Sequence, residues 1–150
     1  MLELRPHHLI DIIRNIGHDR PLVVHPYGHA QHLVTRHILD GSEKLIRLVV
    51  RADDLCQPCI HRTTDGLCDD LLSQFDFPVE KQEYNNKLDR HLLEFLELDK
   101  DQIIALPDFL RLIRSRLDEL IPVCLHPKED IGYKREGLRK GLSILMENKI

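Results

Sequence analysis

The chain has 150 residues, a formal net charge of −4 and 31% charged residues, a balance typical of soluble proteins with a single core. The acidic total argues against nucleic-acid binding, which normally needs a basic surface. No stretch approaches the about 18 apolar residues of a membrane helix, and no signal-peptide pattern follows Met1, so we expect a mature cytoplasmic protein with no membrane span.

Apolar periodicity predicts two helices in the first part of the chain. The first begins at Pro6, which suits an initial helical position, and Gly17 can close it. A second helix is predicted over residues 27–39. Residues 45–50 are rich in Leu, Ile and Val and are typical of a short strand, for which residues 22–24 are the obvious pairing candidate.

The second half of the sequence is predicted to be helical. One helix covers residues 80–98, another opens at Pro107 and ends at Pro122, and the last covers about residues 130–148. Glycines 132, 137 and 141 weaken that last helix or allow close helix packing. We therefore expect a mainly α fold, with residues 1–150 forming a single compact domain of about five helices. It has at most one short strand pair, and a Cys-rich metal-binding loop at about residues 53–73.

The four cysteines carry the strongest chemical signal. Cys56 and Cys59 form a CxxC pair, Cys68 follows closely, and Cys124 lies further along the chain. In a reducing compartment such clusters are more often metal ligands or redox groups than disulfides. Four thiolates satisfy tetrahedral Zn²⁺ or hold a four-iron cluster. We expect one metal centre at these cysteines, with Zn slightly preferred over an iron–sulfur cluster because a structural role needs no redox chemistry.

Other interpretations of the cysteines stay open. They could be buried thiols without a ligand, or Cys56 and Cys59 could form a redox disulfide. The fourth metal ligand is also open, since His61 follows Cys59 by two residues and His126 follows Cys124 by two. Either histidine would give a Cys₃His zinc site.

Ten histidines are many for this length, and two groups stand out. His7 and His8 lie in the first helical turn, and His7 and Asp11 are four residues apart, so we expect them to share a helix face and hydrogen-bond. His7, His8 and Asp11 are the candidate catalytic residues.

The second group comprises His25, His29 and His32, of which His29 and His32 are predicted to share a helix face. Its role is open, since surface histidines on amphipathic helices are frequent.

Three segments together resemble a known family: Leu4-Arg5-Pro6-His7-His8-Leu9, Asp53-Asp54-Leu55-Cys56-x-x-Cys59, and the later Cys68. The chain is similar to uncharacterised prokaryotic proteins of comparable length that open with the same phrase and are thought to bind an iron–sulfur cluster. The resemblance implies metal ligands at Cys56, Cys59, Cys68 and Cys124, and a functional surface near His7 and His8. The chain departs from that pattern by carrying one C-terminal cysteine, which argues against a second cluster.

Three functions follow from these patterns. The leading hypothesis is a small cytoplasmic metal-binding protein with one Cys-rich centre. The alternative is a metal-dependent or His-dependent enzyme in which His7, His8 and Asp11 line a cleft beside that centre and Arg5 fixes an anionic substrate. A third hypothesis is a zinc-stabilised module that docks a protein or nucleic acid. A pocket joining the first helix to the cysteine loop would favour the enzyme, and a protein partner or a homodimer stays open.

Overall fold

Helices dominate the described part of the chain. The structure is a computed structural model that describes residues 1–65, 67–72 and 79–148, so Gly66 and Ser73 of the expected cysteine loop lie outside it. Its helices are α1 Pro6–Gly17, α2 Gln31–Asp40, α3 Lys81–Leu96, α4 Leu106–Ser115, α5 Leu117–Val123 and α6 Ile131–Asn148. Its strands are β1 Leu2–Leu4, β2 Leu45–Leu48, β3 Leu71–Leu72, β4 Val79–Glu80 and β5 Ile103–Ala105. The predicted mainly α class is confirmed.

Most predicted helices match the observed ones. The first is confirmed at both ends, and the helices expected at residues 80–98 and 130–148 are confirmed to within two residues. The helix expected between Pro107 and Pro122 is two helices, because Arg116 has φ −126° and ψ 24° and breaks the helical backbone. The guanidinium of Arg116 stacks 3.9 Å from the centre of the Phe95 ring, which holds this break against α3.

The strand pairing differs from the expected one. β2 lies at the centre of a three-stranded sheet, parallel to β1 and antiparallel to β5, with Leu2 opposite Ile46 and Ile46 opposite Ile104. The expected pairing of β2 with residues 22–24 is wrong. Pairing with β1 leaves Leu2, Leu4, Ile46 and Leu48 buried, whereas Val23 and Val24 remain 69% and 65% exposed. A second, two-stranded antiparallel sheet joins β3 and β4.

Helix α1 packs closely along α6 at two glycines. A methyl group at Gly141 would lie 1.9 Å from the backbone oxygen of Ile13, and one at Gly17 would lie 1.8 Å from that of Gly137. The close packing predicted for glycines in the last helix is therefore confirmed at Gly137 and Gly141. Gly132 makes no such approach, since its nearest neighbour atom would be 3.4 Å away.

The fold brings the first turns of three helices to one side of the molecule. Residues from the starts of α1, α2 and α3 face the segment that carries Cys56, Cys59 and Cys68. Backbone hydrogen bonds hold this segment in place, from Ile60 to the oxygen of Tyr27 and from Asp54 to that of Glu3. Among the described residues, each helix is too short or too polar to cross a lipid bilayer.

Candidate metal centre

Two buried aspartates cap the start of α1 from distant parts of the chain. Asp53 Oδ2 accepts the backbone N–H of Arg5 at 2.7 Å, and Asp89 Oδ1 accepts that of His7 at 2.9 Å. The residues Asp53 and Asp89 are only 3% and 0% exposed. The first N–H groups of a helix have no intrahelical acceptor and carry its positive end, so these carboxylates stabilise it. They fix α1 between the cysteine loop and α3.

The same two carboxylates orient the two histidines of the first turn. Nδ1 of His8 lies 2.7 Å from Oδ2 of Asp53, and Nδ1 of His7 lies 2.8 Å from Oδ1 of Asp89. The imidazole rings are adjacent, with centroids 4.3 Å apart. A carboxylate on Nδ1 fixes the tautomer and leaves Nε2 to bind a metal or exchange a proton. Each histidine is therefore held in the way that metal-ligating histidines usually are.

The expected hydrogen bond between His7 and Asp11 is wrong. Asp11 instead pairs with Arg14 at 3.3 Å, one turn further along α1. Burial by itself raises the pKa of Asp11, but the charges of Arg14, His7, Lys134 and His8 together outweigh it and the pKa is lowered. His7 turns to Asp89 because that carboxylate can also accept its backbone N–H, which Asp11 on the same helix cannot reach.

Asp53 also contacts the first cysteine. Its Oδ1 accepts the backbone N–H of Leu55 at 3.1 Å and lies 3.4 Å from the thiol of Cys56. Burial, followed by the charge of Asp53, raises the pKa of Cys56 to about 12. Burial by itself raises the pKa of Asp53, but His8 and the donated hydrogen bonds lower it to about 2. At neutral pH the carboxylate is ionised and the thiol is protonated.

His8 completes this charged group. Burial by itself lowers the pKa of His8, but the charge of Asp53 and the hydrogen bond to it raise the pKa above its ordinary value. Donor atoms of His8, Asp53 and Cys56 all lie within 4.8 Å of one another. Among the described residues, this is the one set of three or more His, Cys, Asp or Glu donors that meets that distance. These residues could hold a metal ion.

Consecutive turns carry the remaining cysteines of the loop. The backbone N–H of Cys59 donates to the oxygen of Cys56 at 3.0 Å, as expected for a CxxC turn. Residues Arg62 and Cys68 then form an antiparallel bridge, which returns the chain towards α3. There the backbone N–H of Cys68 donates to Oε1 of Gln82 at 2.7 Å.

Most of the candidate residues line one cavity of about 300 Å³. The candidates from the sequence that line it are Arg5, His7, His8, Asp11, Cys56, Cys59, Cys68, His29, His61 and His126. Cys124 is not among the described residues of this lining. It is buried at the end of α5, where its thiol lies 3.6 Å from the oxygen of Leu120 and 3.8 Å from that of Ile121.

A hydrogen-bond chain along α3 connects the two sides of the cavity. Gln82, which holds Cys68, donates through Nε2 to Oδ1 of Asn86 at 3.2 Å. The same oxygen accepts from Arg5 at 2.9 Å, and the other terminal nitrogen of Arg5 donates to Oδ2 of Asp89 at 2.9 Å. Arg5 is therefore engaged with α3, in a role different from the substrate contact considered from the sequence.

The second histidine group is divided between two cavities. His25 and His29 stack with ring centroids 4.1 Å apart, and His29 faces the cavity of the cysteines as well as a second cavity that His32 lines. Burial, followed by the charge of His25, lowers the pKa of His29 to about 4. The expected shared helix face of His29 and His32 is wrong, because α2 begins only at Gln31.

Two central residues, Asp53 and Asp89, had no role in the sequence analysis. Asp53 stands 45 residues from His8 and Asp89 stands 82 residues from His7, so no local spacing links them. A signal for Asp89 is its position inside the helix predicted over residues 80–98, because a carboxylate that such a helix buries needs a partner.

A family model matches two thirds of the chain. The family described as "Protein of unknown function (DUF1284)" matches residues 27–126, a span that contains Asp53, Asp89 and all four cysteines but begins after His7 and His8. No curated protein and no solved structure matches the chain.

Proposed function

This chain belongs to the DUF1284 family, whose function is unknown, and we propose that it binds one metal ion in the cavity between α1 and the cysteine loop. The proposed ligands are His8, Cys56, Cys59 and Cys68, with Zn²⁺ as the preferred ion. The observation that supports it is the set of His8, Asp53 and Cys56 donors within 4.8 Å, in a cavity that Cys59 and Cys68 also line.

The donor chemistry and the spacing both suit zinc. In tetrahedral geometry, Zn–S and Zn–N bonds of about 2.3 Å and 2.0 Å place the two donors about 3.5 Å apart. Donor atoms of His8 and Cys56 already lie within 4.8 Å of each other. Asp53 acts as the carboxylate behind His8, and the incoming cation replaces the proton that Cys56 now shares with it.

His8 is a better fourth ligand than Cys124 in this proposal. The thiol of Cys124 packs against backbone oxygens of its own helix, and burial raises its pKa. Cys124 is the C-cap residue of α5 and is not among the described residues of the cavity lining. His61 and His126 line the cavity and are the next candidates, but the group of donors within 4.8 Å contains His8 and neither of them.

An iron–sulfur cluster is the alternative occupant. It would use the same soft thiolates, and clusters with histidine among their ligands are known chemistry. Zinc remains preferred because a structural ion at these ligands needs no redox chemistry.

A metal-dependent enzyme is the second candidate function. The observation that favours it is the shared cavity, in which His7, held by Asp89, lies beside the proposed ligand His8. In that role the Nε2 of His7 would exchange a proton with a bound substrate. A nucleophilic Cys56 is disfavoured, since its thiol contacts Asp53 and its pKa is raised to about 12.

Metal analysis of protein purified without oxygen tests the proposal. Mass spectrometry should find one zinc ion per wild-type chain, and H8Q and C56S should lose most of it. C124S should keep it, with circular dichroism showing that each variant is folded. A protein that takes up no metal, or C124S losing metal as completely as C56S, would contradict the proposal. Brown protein that absorbs at about 400 nm would favour an iron–sulfur cluster.

A further inference from the structure

A buried amide faces the same cavity without using its hydrogen-bonding groups. Asn85 of α3 lines the cavity and is only 7% exposed. Among the described residues, its side chain has no hydrogen-bond partner. The amide atoms of Asn85 are not among the fully buried unpaired atoms of the described residues, so they are open to the cavity, where a small molecule can pair with them.

Positive charge surrounds this amide. Asn85 lies one turn after the start of α3, a helix of 16 residues whose N-cap residue Glu80 makes no side-chain cap. The first residues of the helix, Lys81 and Gln82, line the cavity as well. The N–H groups at a helix start and the helix dipole attract anions, and the ammonium of Lys81 adds to that attraction.

A guanidinium lies in the same wall. Arg62 lines the cavity, and its Nε is buried without an acceptor among the described residues. The acidic residues of the lining are already paired. Asp70 lies 3.5 Å from the ammonium of Lys81, and Asp11 pairs with Arg14. In this part of the cavity the amide of Asn85 and Nε of Arg62 have no acceptor among the described residues, while Lys81 shares its charge with Asp70.

We propose that the α3 side of the cavity binds the oxyanion group of a small molecule, a carboxylate or a phosphate, with Asn85, Lys81 and Arg62 as its donors. The Oδ1 atom of Asn85 can meanwhile accept from a hydroxyl or amine of the same molecule. A volume of about 300 Å³ limits the ligand to a small one. The proposal deepens the proposed function and rests on it, because the ligand would lie beside the metal.

Titration of the zinc-loaded protein tests the proposal. Sodium phosphate and sodium acetate are added at constant ionic strength while amide NMR shifts are recorded, with sodium chloride as the reference salt. Saturable shifts in α3 and the cysteine loop are expected with at least one of the two anions. N85L should weaken binding at least tenfold and K81Q should weaken it in part, both with unchanged zinc content. The matched control K87Q, an exposed lysine of the same helix, should bind as wild type does.

The remaining outcomes separate this proposal from the metal site. Binding that is equal in wild type and N85L, or shifts no larger than those with chloride, would overturn the oxyanion site while leaving the zinc site intact. Loss of zinc in C56S with retained phosphate or acetate binding would support the oxyanion site on its own. If the wild-type protein takes up no zinc, the metal-free protein is titrated in the same way. Equal binding by wild type and N85L, or shifts no larger than those with chloride, would again overturn the oxyanion site.

Discussion

Oε1 of Gln82 accepts a hydrogen bond from the backbone N–H of Cys68, with 2.7 Å between oxygen and nitrogen. This contact ties the far end of the cysteine loop to the first turn of α3. Through Asn86 it continues to Arg5, at the start of the helix that carries both histidines. Proposed ligands from the two ends of the cavity are therefore connected by one set of side chains.

Substitution of Gln82 tests whether this contact positions Cys68. We expect Q82L to lower zinc affinity about 10-fold, since partners behind metal ligands typically contribute that much. Q82E keeps an acceptor for Cys68 and should lose less. The measurement is a competitive titration with a zinc-binding dye. Equal affinities for wild type and Q82L would show that Cys68 needs no such support.

Asp53 and Asp54 form a matched pair for testing the carboxylate behind His8. D53N should lower zinc affinity about 10- to 100-fold, because His8 loses the acceptor that fixes its tautomer. D54N should stay near wild type, since Asp54 accepts the backbone N–H of Glu3 and not the histidine. The same dye competition compares them. Similar losses in both variants would exclude a specific role for Asp53.

The pairing of Asp89 predicts how stability depends on pH in the metal-free protein. Burial by itself raises the pKa of Asp89, but His7 and Arg5 lower it below its ordinary value. A carboxyl with a lowered pKa stabilises the fold above its unfolded pKa of about 3.9, and the effect is lost as the pH falls below that. D89N should cost about 3–5 kcal/mol at pH 7, as expected for breaking a buried charge pair.

Urea unfolding at several pH values checks this expectation. The difference in unfolding free energy between wild type and D89N should be constant from neutral pH down to about pH 5 and should shrink below about pH 4. A difference that grows in acid would mean that the pKa of Asp89 is raised rather than lowered in the folded protein.

The glycines of α6 predict opposite effects of the same substitution. G141A should destabilise the protein by about 1–3 kcal/mol or more, because the added methyl would meet the backbone of α1. G132A should be neutral or stabilising by up to about 1 kcal/mol, since its position is open and alanine favours helix. Thermal unfolding followed by circular dichroism compares them. A tolerated G141A would contradict the close approach of α1 and α6.

Local patterns in the sequence were sufficient to predict most of the helices. They also predicted the part of the site that the cysteine loop forms. Periodic apolar residues, with Pro6 and Gly17 at the ends, predicted α1 fully, and the CxxC spacing pointed to the loop that lines the cavity. These signals work because a helix and a turn each depend on residues that are near one another in the chain.

The sheet and the carboxylates could not be predicted in this way. β1 and β2 are short, and they pair in parallel although more than 40 residues separate them in the sequence. No residue pattern in either strand identifies the other as its partner. Asp53 and Asp89 acquire their roles only when the fold brings them to His8 and His7. Asp11 is close to His7 in the sequence. Asp89 is distant in the sequence, but it can also accept the backbone N–H of His7 at the start of α1.

X-ray absorption at the zinc edge of the reconstituted protein distinguishes histidine from thiolate ligands. Ligation by His8 together with the loop cysteines predicts a mixed first shell, with sulfur at about 2.3 Å and nitrogen at about 2.0 Å, and a smaller nitrogen contribution in H8Q. A shell of sulfur alone that H8Q leaves unchanged would contradict the account, because His8 would then not be a ligand.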